Sequence, residues 1–159
     1  MSLGNIPTRN ATAIVNPLKA CEYTIHKQER DGAVVRSVNV GDQLYHKIRC
    51  DLPREHEDSY CLLVFNCSIS NSANSIIYQL LDENGCSLEP FIIEHAEYPT
   101  PTEAGIRGQA IIFQEDSAHG RTSIYMNCQS RFIRKGANSN DCDSRRPKCK
   151  SSEFVFQFQ

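Results

Sequence analysis

The sequence lacks the features by which several classes of protein are recognised. It has no apolar run approaching the roughly 18–20 residues that a membrane span needs. Its opening segment, MSLGNIPTRN, has no apolar stretch of the kind found in signal peptides. The net charge is only −2, so no overall field favours nucleic acid or an anionic membrane as a partner. We expect no nucleic-acid binding and no membrane insertion, and we interpret residues 1–20 as an artificial start followed by an interdomain linker.

Catalytic signatures are absent as well. The sequence contains no Gly-x-Ser-x-Gly elbow, no Walker A loop, no His-Glu-x-x-His and no Gly-x-Gly-x-x-Gly. Glu115, Asp116 and His119 lie close in sequence, but an exposed turn between strands explains them better than an acid–base cluster. The acidic groups at Glu55–Asp58 and Asp82–Glu83 offer too few ligands at calcium-loop spacing. The sequence therefore predicts no enzyme, no cofactor and no metal site.

Cysteine is abundant, with eight residues in a chain of 159. The spacings include no Cys-x-x-Cys pair, which argues against a zinc knuckle. An even number of cysteines is typical of a secreted, disulfide-bonded domain, so we predict four intramolecular disulfides and no free thiol. Two glycosylation sequons, at Asn10 and Asn66, fit the same secretory route.

Short segments of β-type residues recur along the chain and are separated by turns rich in Gly, Asp and Asn. No long stretch has a helical period. This pattern predicts an all-β protein, and specifically a β-sandwich. The predicted strands are Glu22–His26, Val34–Val40, Gln43–Cys50, Tyr60–Ser68, Ile76–Leu81, Pro90–Ile93, Gln109–Phe113, Thr122–Cys128 and Phe154–Phe158.

The strand Tyr60–Ser68 holds two cysteines that cannot reach each other, because six residues of strand span roughly 20 Å. The even spacing predicts that Cys61 and Cys67 point to the same face, and that Asn66 points away from it. Only nine residues connect Cys50 to the start of this strand. If the two strands flank that loop, Cys50 and Cys61 face each other, so a Cys50–Cys61 disulfide is expected. Spacing alone does not choose the partner of Cys67.

The C-terminal part of the chain changes in composition. Residues 136–152 form a predicted loop, and the stretch 131–150 holds seven Lys and Arg against two Asp. A solvated loop tethered by Cys142 and Cys149 is favoured over a nucleic-acid or glycosaminoglycan patch. In residues 153–159, Phe154, Phe156 and Phe158 fall on one face, with Val155, Gln157 and Gln159 on the other, which predicts a half-buried closing strand.

An ordered set of short motifs resembles the C-terminal half of a zona pellucida domain, and in particular that of the nematode cuticlins. The resemblance runs from about Cys21 to Cys149. Its motifs are Val40-Gly41-Asp42, Tyr45-His46-Lys47, Asn66-Cys67, Asp82-Glu83-Asn84-Gly85-Cys86 and Asn127-Cys128.

The resemblance implies an immunoglobulin-like sandwich spanning residues 21–159. It also implies one of two disulfide patterns, in which Cys67 bonds either Cys86 or Cys128. We favour Cys67–Cys86, which leaves two bonds to be made among Cys21, Cys128, Cys142 and Cys149. In such precursors a hydrophobic segment after the last cysteines blocks assembly until cleavage, and Phe154–Phe158 occupies the matching place.

The resemblance further implies a secreted structural module of an apical extracellular matrix, whose parent is membrane-anchored before cleavage. Its expected partners are the N-terminal half of the same parent, other matrix proteins, or further copies of itself. The alternative from another class is a receptor ectodomain that binds a soluble ligand.

Overall fold

The chain folds into two facing β-sheets. The computed structural model describes residues 21–56, 58–71, 77–112, 123–136 and 141–150, together with the backbone of 2–3 and 10–11. Apart from a 3-10 turn at Arg54–His56, these residues contain no helix. The strands are β1 (Ser2–Leu3), β2 (Asn10–Ala11), β3 (Cys21–Lys27), β4 (Gln43–Cys50), β5 (Tyr60–Asn71), β6 (Ile77–Gln79), β7 (Glu97–Thr100), β8 (Glu103–Gln109) and β9 (Ser123–Arg134).

The first sheet has the order β1-β9-β5-β6, with β2 also paired to β9, and the second has the order β3-β4-β8-β7. The long pairs β5–β9, β3–β4 and β4–β8 are antiparallel, whereas β1 and β2 run parallel to β9. The predicted all-β, disulfide-stabilised sandwich is therefore confirmed. Within the described ranges, no helix has the length and apolar character needed to cross a membrane.

The predicted strand Gln43–Cys50 coincides with β4, and the predictions for β3, β5, β6 and β9 overlap the observed strands. Three predictions are wrong. The predicted strand Gln109–Phe113 shares only Gln109 with an observed strand, because β8 ends there, residues 110–112 are not in a strand, and Phe113 lies outside the described residues. Val34–Val40 has isolated bridges at Val34, which pairs with His26, and at Ser37, but it forms no strand and leads into a turn in which Gly41 has φ 92°. Pro90–Ile93 is also a turn, because the N–H groups of Ile92 and Ile93 both donate to the carbonyl of Glu89. The predicted strand Phe154–Phe158 lies outside the described residues.

Apolar residues from both sheets meet in one core. They share near-complete burial and include Ile25, Leu44, Ile48, Leu62, Val64, Ile69, Ala104, Ile106, Ile124, Met126 and Phe132. Burial of side chains of this size contributes about 1.5–3 kcal/mol each, so this interior is the main source of stability.

A β-bulge interrupts the alternation of β5. Phe65 pairs with Gln129 and Ser68 pairs with Asn127, so Asn66 and Cys67 together lie opposite the one residue between. Asn66 adopts φ 48°, which allows the extra residue to be accommodated. The bulge shifts the phase of the strand, so Cys67 joins the core with Val64 while Cys61 lies outside the core cluster. The prediction that Cys61 and Cys67 share a face is therefore wrong.

Candidate interaction surface and its disulfide framework

All eight cysteines are paired in four intramolecular disulfides, which confirms the predicted number and the absence of a free thiol. The bonds are Cys21–Cys50, Cys61–Cys142, Cys67–Cys128 and Cys86–Cys149.

The predicted Cys50–Cys61 bond is wrong because β4 and β5 do not form a hairpin. The connection between them carries the chain from the second sheet to the first. Cys50 instead lies opposite Cys21 in the β3–β4 ladder, where the two Cα atoms are 4.1 Å apart. Cys61 bonds Cys142, which belongs to the C-terminal part of the chain.

The predicted Cys67–Cys86 bond is wrong as well. The bulge in β5 points Cys67 at Cys128 on β9, with 4.1 Å between the Cα atoms. This is the second of the two patterns that the resemblance implied. Cys86 bonds Cys149 instead, so the expected two bonds among Cys21, Cys128, Cys142 and Cys149 do not form: each of the four pairs with a cysteine outside that set.

Residues 141–150, which we call the C-terminal strap, are held on the sandwich near both ends. Cys142 ties the strap to β5, and Cys149 ties it to Cys86 in the connection between β6 and β7. His95 adds a third contact, since its Nε2 lies 3.0 Å from the carbonyl oxygen of Lys150. The predicted tethering of this region by Cys142 and Cys149 is confirmed for the described residues.

Arg146 forms the centre of the strap and is buried, with 8% of its surface exposed. Its Nε donates to the carbonyl of Leu62 at 2.8 Å, and its Nη2 donates to the carbonyl of Pro101 at 3.3 Å. The guanidinium carbon lies 3.7 Å from the centre of the Tyr98 ring, a cation–π contact. Burial lowers the pKa of Arg146. A solvated basic loop does not describe this residue.

The partners of Arg146 come from both sheets. Leu62 is on β5, while Pro101 and Tyr98 belong to the β7–β8 hairpin of the second sheet. The Tyr98 hydroxyl also accepts a hydrogen bond from the N–H of Val64 at 3.0 Å, and burial raises the pKa of this phenol. Arg146 thus fastens the strap at the point where the two sheets meet. Its carbonyl partners, its contact with the Tyr98 ring and its burial distinguish it from the exposed Arg145, and all of these depend on the tertiary structure, so the sequence carries no signal for it.

A surface groove of about 470 Å³ lies at the end of the second sheet that carries the last residue of β8. Phe91, which is 72% exposed, stands at this groove with Pro90 and Ile92, and Gln43 and Gln109 contribute polar groups. Glu94, the residue before His95, also lines it. The groove is therefore close in sequence to the contact that holds the end of the strap.

Two further ionisable groups, Glu103 and His46, are buried and contact neighbouring side chains inside the fold. Glu103 is 2% exposed and pairs with Arg30 at 2.7 Å and with Lys47 at 3.2 Å. Burial lowers the pKa of His46 to about 4, so its imidazole is neutral at neutral pH in contact with the Tyr23 hydroxyl. Neither group lines the groove.

Of the acidic groups noted in the sequence, Asp82 acts within a turn. Its Oδ1 accepts hydrogen bonds from the N–H groups of Asn84 and Cys86, at 2.8 and 2.9 Å. Glu115, Asp116 and His119 lie outside the described residues. The sequon residue Asn66 is half-buried, and its amide nitrogen donates to Oε1 of Gln129 at 2.9 Å.

The fold and its bonds define a class of protein, a small β-sandwich closed by four disulfides. Residues 17–153 match the cuticlin C-terminal domain family, and the chain belongs to that family. In Caenorhabditis elegans it is similar to Cuticlin-3, with 30% identity over 149 residues, covering 94% of this chain and 35% of the relative. It is also similar to Cuticlin-5, with 30% identity over 143 residues, covering 90% of this chain and 33% of the relative. The chain thus spans about a third of the length of these curated relatives.

Proposed function

We propose that this chain is a structural module of a cuticle-type extracellular matrix, and that it works outside the cell by docking to other subunits rather than by catalysis. The observation that carries the proposal is the family match over residues 17–153, together with a framework in which every cysteine is bonded. A disulfide adds about 2–4 kcal/mol to the stability of a domain, which suits a protein that must persist in an oxidising environment.

The partners of such a module are other matrix proteins or further copies of the parent. The chain covers only part of its relatives, so the remaining part of the parent, including an N-terminal zona pellucida half, is a further partner in the proposal. An apical location and a membrane-anchored precursor belong to the same proposal.

In the same proposal, the C-terminal segment 151–159 blocks assembly until it is cleaved, which we call the assembly control. It comes directly after Lys150, whose carbonyl is held by His95, and His95 follows the groove-lining Glu94 in the sequence. Nine extended residues reach at most about 30 Å, so the segment can cover surface well beyond Lys150. In the proposal, Phe154, Phe156 and Phe158 occupy apolar surface of the same molecule until proteolysis removes them, and the exposed surface then receives a neighbouring subunit.

Truncation after Lys150 tests this control. A docked segment buries three Phe side chains, so its removal is expected to lower the melting temperature or to cause new self-association in sedimentation. A second variant replaces Phe154, Phe156 and Phe158 with Ser and should behave like the truncation. The matched control replaces Gln157 and Gln159 with Ser, on the opposite face of the alternation, and should leave both readouts unchanged. An unchanged monomer with unchanged melting in the truncated chain would refute the assembly control.

A receptor ectodomain that binds a soluble ligand is the second candidate, and the groove beside Phe91 is the feature that favours it. Sedimentation of the full-length parent separates the two candidates. A matrix subunit should form polymers, whereas a receptor should stay at a fixed small size.

The sequons at Asn10 and Asn66 are proposed glycan sites of the secreted protein. Asn66 is at the bulge and only half-buried, which leaves its amide partly accessible. Mass spectrometry of protein secreted from a eukaryotic cell, before and after glycosidase, decides whether Asn66 is modified.

A further inference from the structure

The four disulfides differ in how deeply they are buried. Cys61 and Cys67 have no exposed surface, and their partners Cys142 and Cys128 are 7% and 3% exposed. Cys21 is half-buried but is bonded to the fully buried Cys50. Only in the Cys86–Cys149 bond are both residues half-buried. When such a bond opens, neither sulfur has to carry a negative charge inside the apolar core, where an unpaired charge is strongly disfavoured.

A histidine lies beside this bond and connects its two sides. His95 Nδ1 accepts a hydrogen bond from the N–H of Ser87 at 2.8 Å, so the ring proton is on Nε2, which faces the carbonyl oxygen of Lys150 at 3.0 Å. Ser87 directly follows Cys86, and Lys150 directly follows Cys149. A ring nitrogen of His95 and the two sulfurs lie within 4.8 Å of one another. The imidazole therefore holds together the same two segments that the disulfide joins.

The charges around the two sulfurs are unequal. Cys149 stands between Lys148 and Lys150, both exposed, whereas the turn that precedes Cys86 carries Asp82 and Glu83. Nearby cations lower the pKa of a thiol, and a thiol of lower pKa leaves faster in exchange. Cys149 is the better leaving group of the pair.

We infer that the Cys86–Cys149 bond is a thiol-exchange site. An external thiolate attacks Sγ of Cys86 and forms a mixed disulfide there, while the Cys86–Cys149 bond breaks and Cys149 leaves as a thiolate. No oxidant is consumed, and the charge passes from the incoming sulfur to Cys149. Attack by Cys149 on the mixed disulfide reverses the step and releases the external thiol.

The exchange has a defined structural consequence. Once the bond is open, the strap keeps its Cys61–Cys142 bond and the contacts of Arg146, so within the strap the change is confined to residues 147–150. His95 keeps Ser87 and Lys150 near each other, and therefore keeps the two sulfurs placed for re-closure. The inference concerns this bond alone and holds whether or not the protein assembles into a matrix.

Partial reduction of the intact chain tests the site. The folded protein is exposed to glutathione, quenched with acid, alkylated and mapped by mass spectrometry. Glutathione is expected on Cys86 and the alkyl group on Cys149, while the other six cysteines stay bonded. Opening of Cys21–Cys50 before or together with this bond would overturn the inference, as would glutathione found mainly on Cys149. A parallel arm uses reduced thioredoxin. Opening there as well supports access for protein thiols, and opening by glutathione alone supports a small-thiol site.

The role of His95 in positioning is tested by His95→Ala, with His56→Ala as the matched control at a half-buried histidine in the connection between β4 and β5. The measured quantity is the concentration of reduced glutathione at which half of the Cys86–Cys149 bond is open as the mixed disulfide. Loss of the hydrogen bonds made by His95 should lower that concentration about fivefold, since each contributes a modest net stabilisation. An unchanged concentration in His95→Ala, or an equal shift in His56→Ala, would contradict the positioning role.

Discussion

At the scale of single residues, the chemistry of the strap depends on the planar guanidinium of Arg146. Two neighbouring arginines occupy different environments: Arg145 is exposed, and Arg146 is packed over Tyr98 and donates to two carbonyls. A lysine carries the same charge, but its ammonium group cannot reproduce the fork or stack on the ring. The carbonyls of Leu62 and Pro101 need the shape of the side chain as well as its charge.

Arg146→Lys should therefore destabilise the protein by about 1–3 kcal/mol, because buried carbonyls lose their donors. The matched control is Arg145→Lys, for which a change within about 0.5 kcal/mol is expected at an exposed site. Urea unfolding with all four disulfides intact measures both variants. Equal stabilities for the two would show that Arg146 contributes only charge.

At the scale of elements, the sequence predicts strands well where apolar residues alternate and poorly where glycine or proline is required by packing. The sequence predicts Gln43–Cys50 with its observed bounds, because a turn precedes Gln43, a turn follows Cys50, and the segment between them is rich in β-type residues. The sequence predicts only the last residue of β8, because Glu103–Gln109 contains two glycines, which are depleted in strands. Gly105 is explained only by the tertiary structure, since the ring of Tyr45 lies directly against it.

The bulge in β5 is a second feature that the sequence does not predict. A period of two is the only guide that a strand offers, and one extra residue at Asn66 exchanges the faces of the residues after it. That exchange decides the partner of Cys67. The number of disulfides came from counting, whereas the pairing required the register of β5 on β9 and the path of the strap.

Gly105→Ala tests the interpretation of β8. A Cβ at this position would lie 1.7 Å from the Tyr45 hydroxyl oxygen and 2.1 Å from the adjoining ring carbon, and Tyr45 has no exposed surface into which to move. The expected loss is about 1–3 kcal/mol in unfolding free energy, typical of overpacking. Gly136→Ala is the control, because its nearest neighbour is the Nη2 end of the exposed Arg145 at 3.1 Å. An undiminished stability of Gly105→Ala would mean that Tyr45 can shift at little cost.

At the scale of the whole molecule, the four disulfides stabilise different parts of the sandwich. Cys21–Cys50 lies within the second sheet and Cys67–Cys128 within the first. The other two bonds join the strap to β5 and to the connection between β6 and β7. None of the four links a strand of one sheet directly to a strand of the other, so the sheets are held together by the shared apolar core and by contacts such as that of Arg146.

Two of these bonds allow loop entropy to be separated from burial. Cys67–Cys128 and Cys86–Cys149 close nearly equal lengths of chain, with sequence separations of 61 and 63. The chain-entropy model assigns each about 4 kcal/mol from restriction of the unfolded chain. The environments differ, because the first bond lies in the core and the second is half-buried.

Replacing Cys67 and Cys128 with Ala should therefore cost about 1–2 kcal/mol more than replacing Cys86 and Cys149 with Ala, the excess coming from lost core packing. Urea unfolding of both double variants, with the same residual disulfides checked by mass spectrometry, gives the two losses. Equal losses would assign the whole effect to the unfolded chain, and a larger loss for Cys86 and Cys149 would mean that the strap, rather than the core bond, determines the stability of the sandwich.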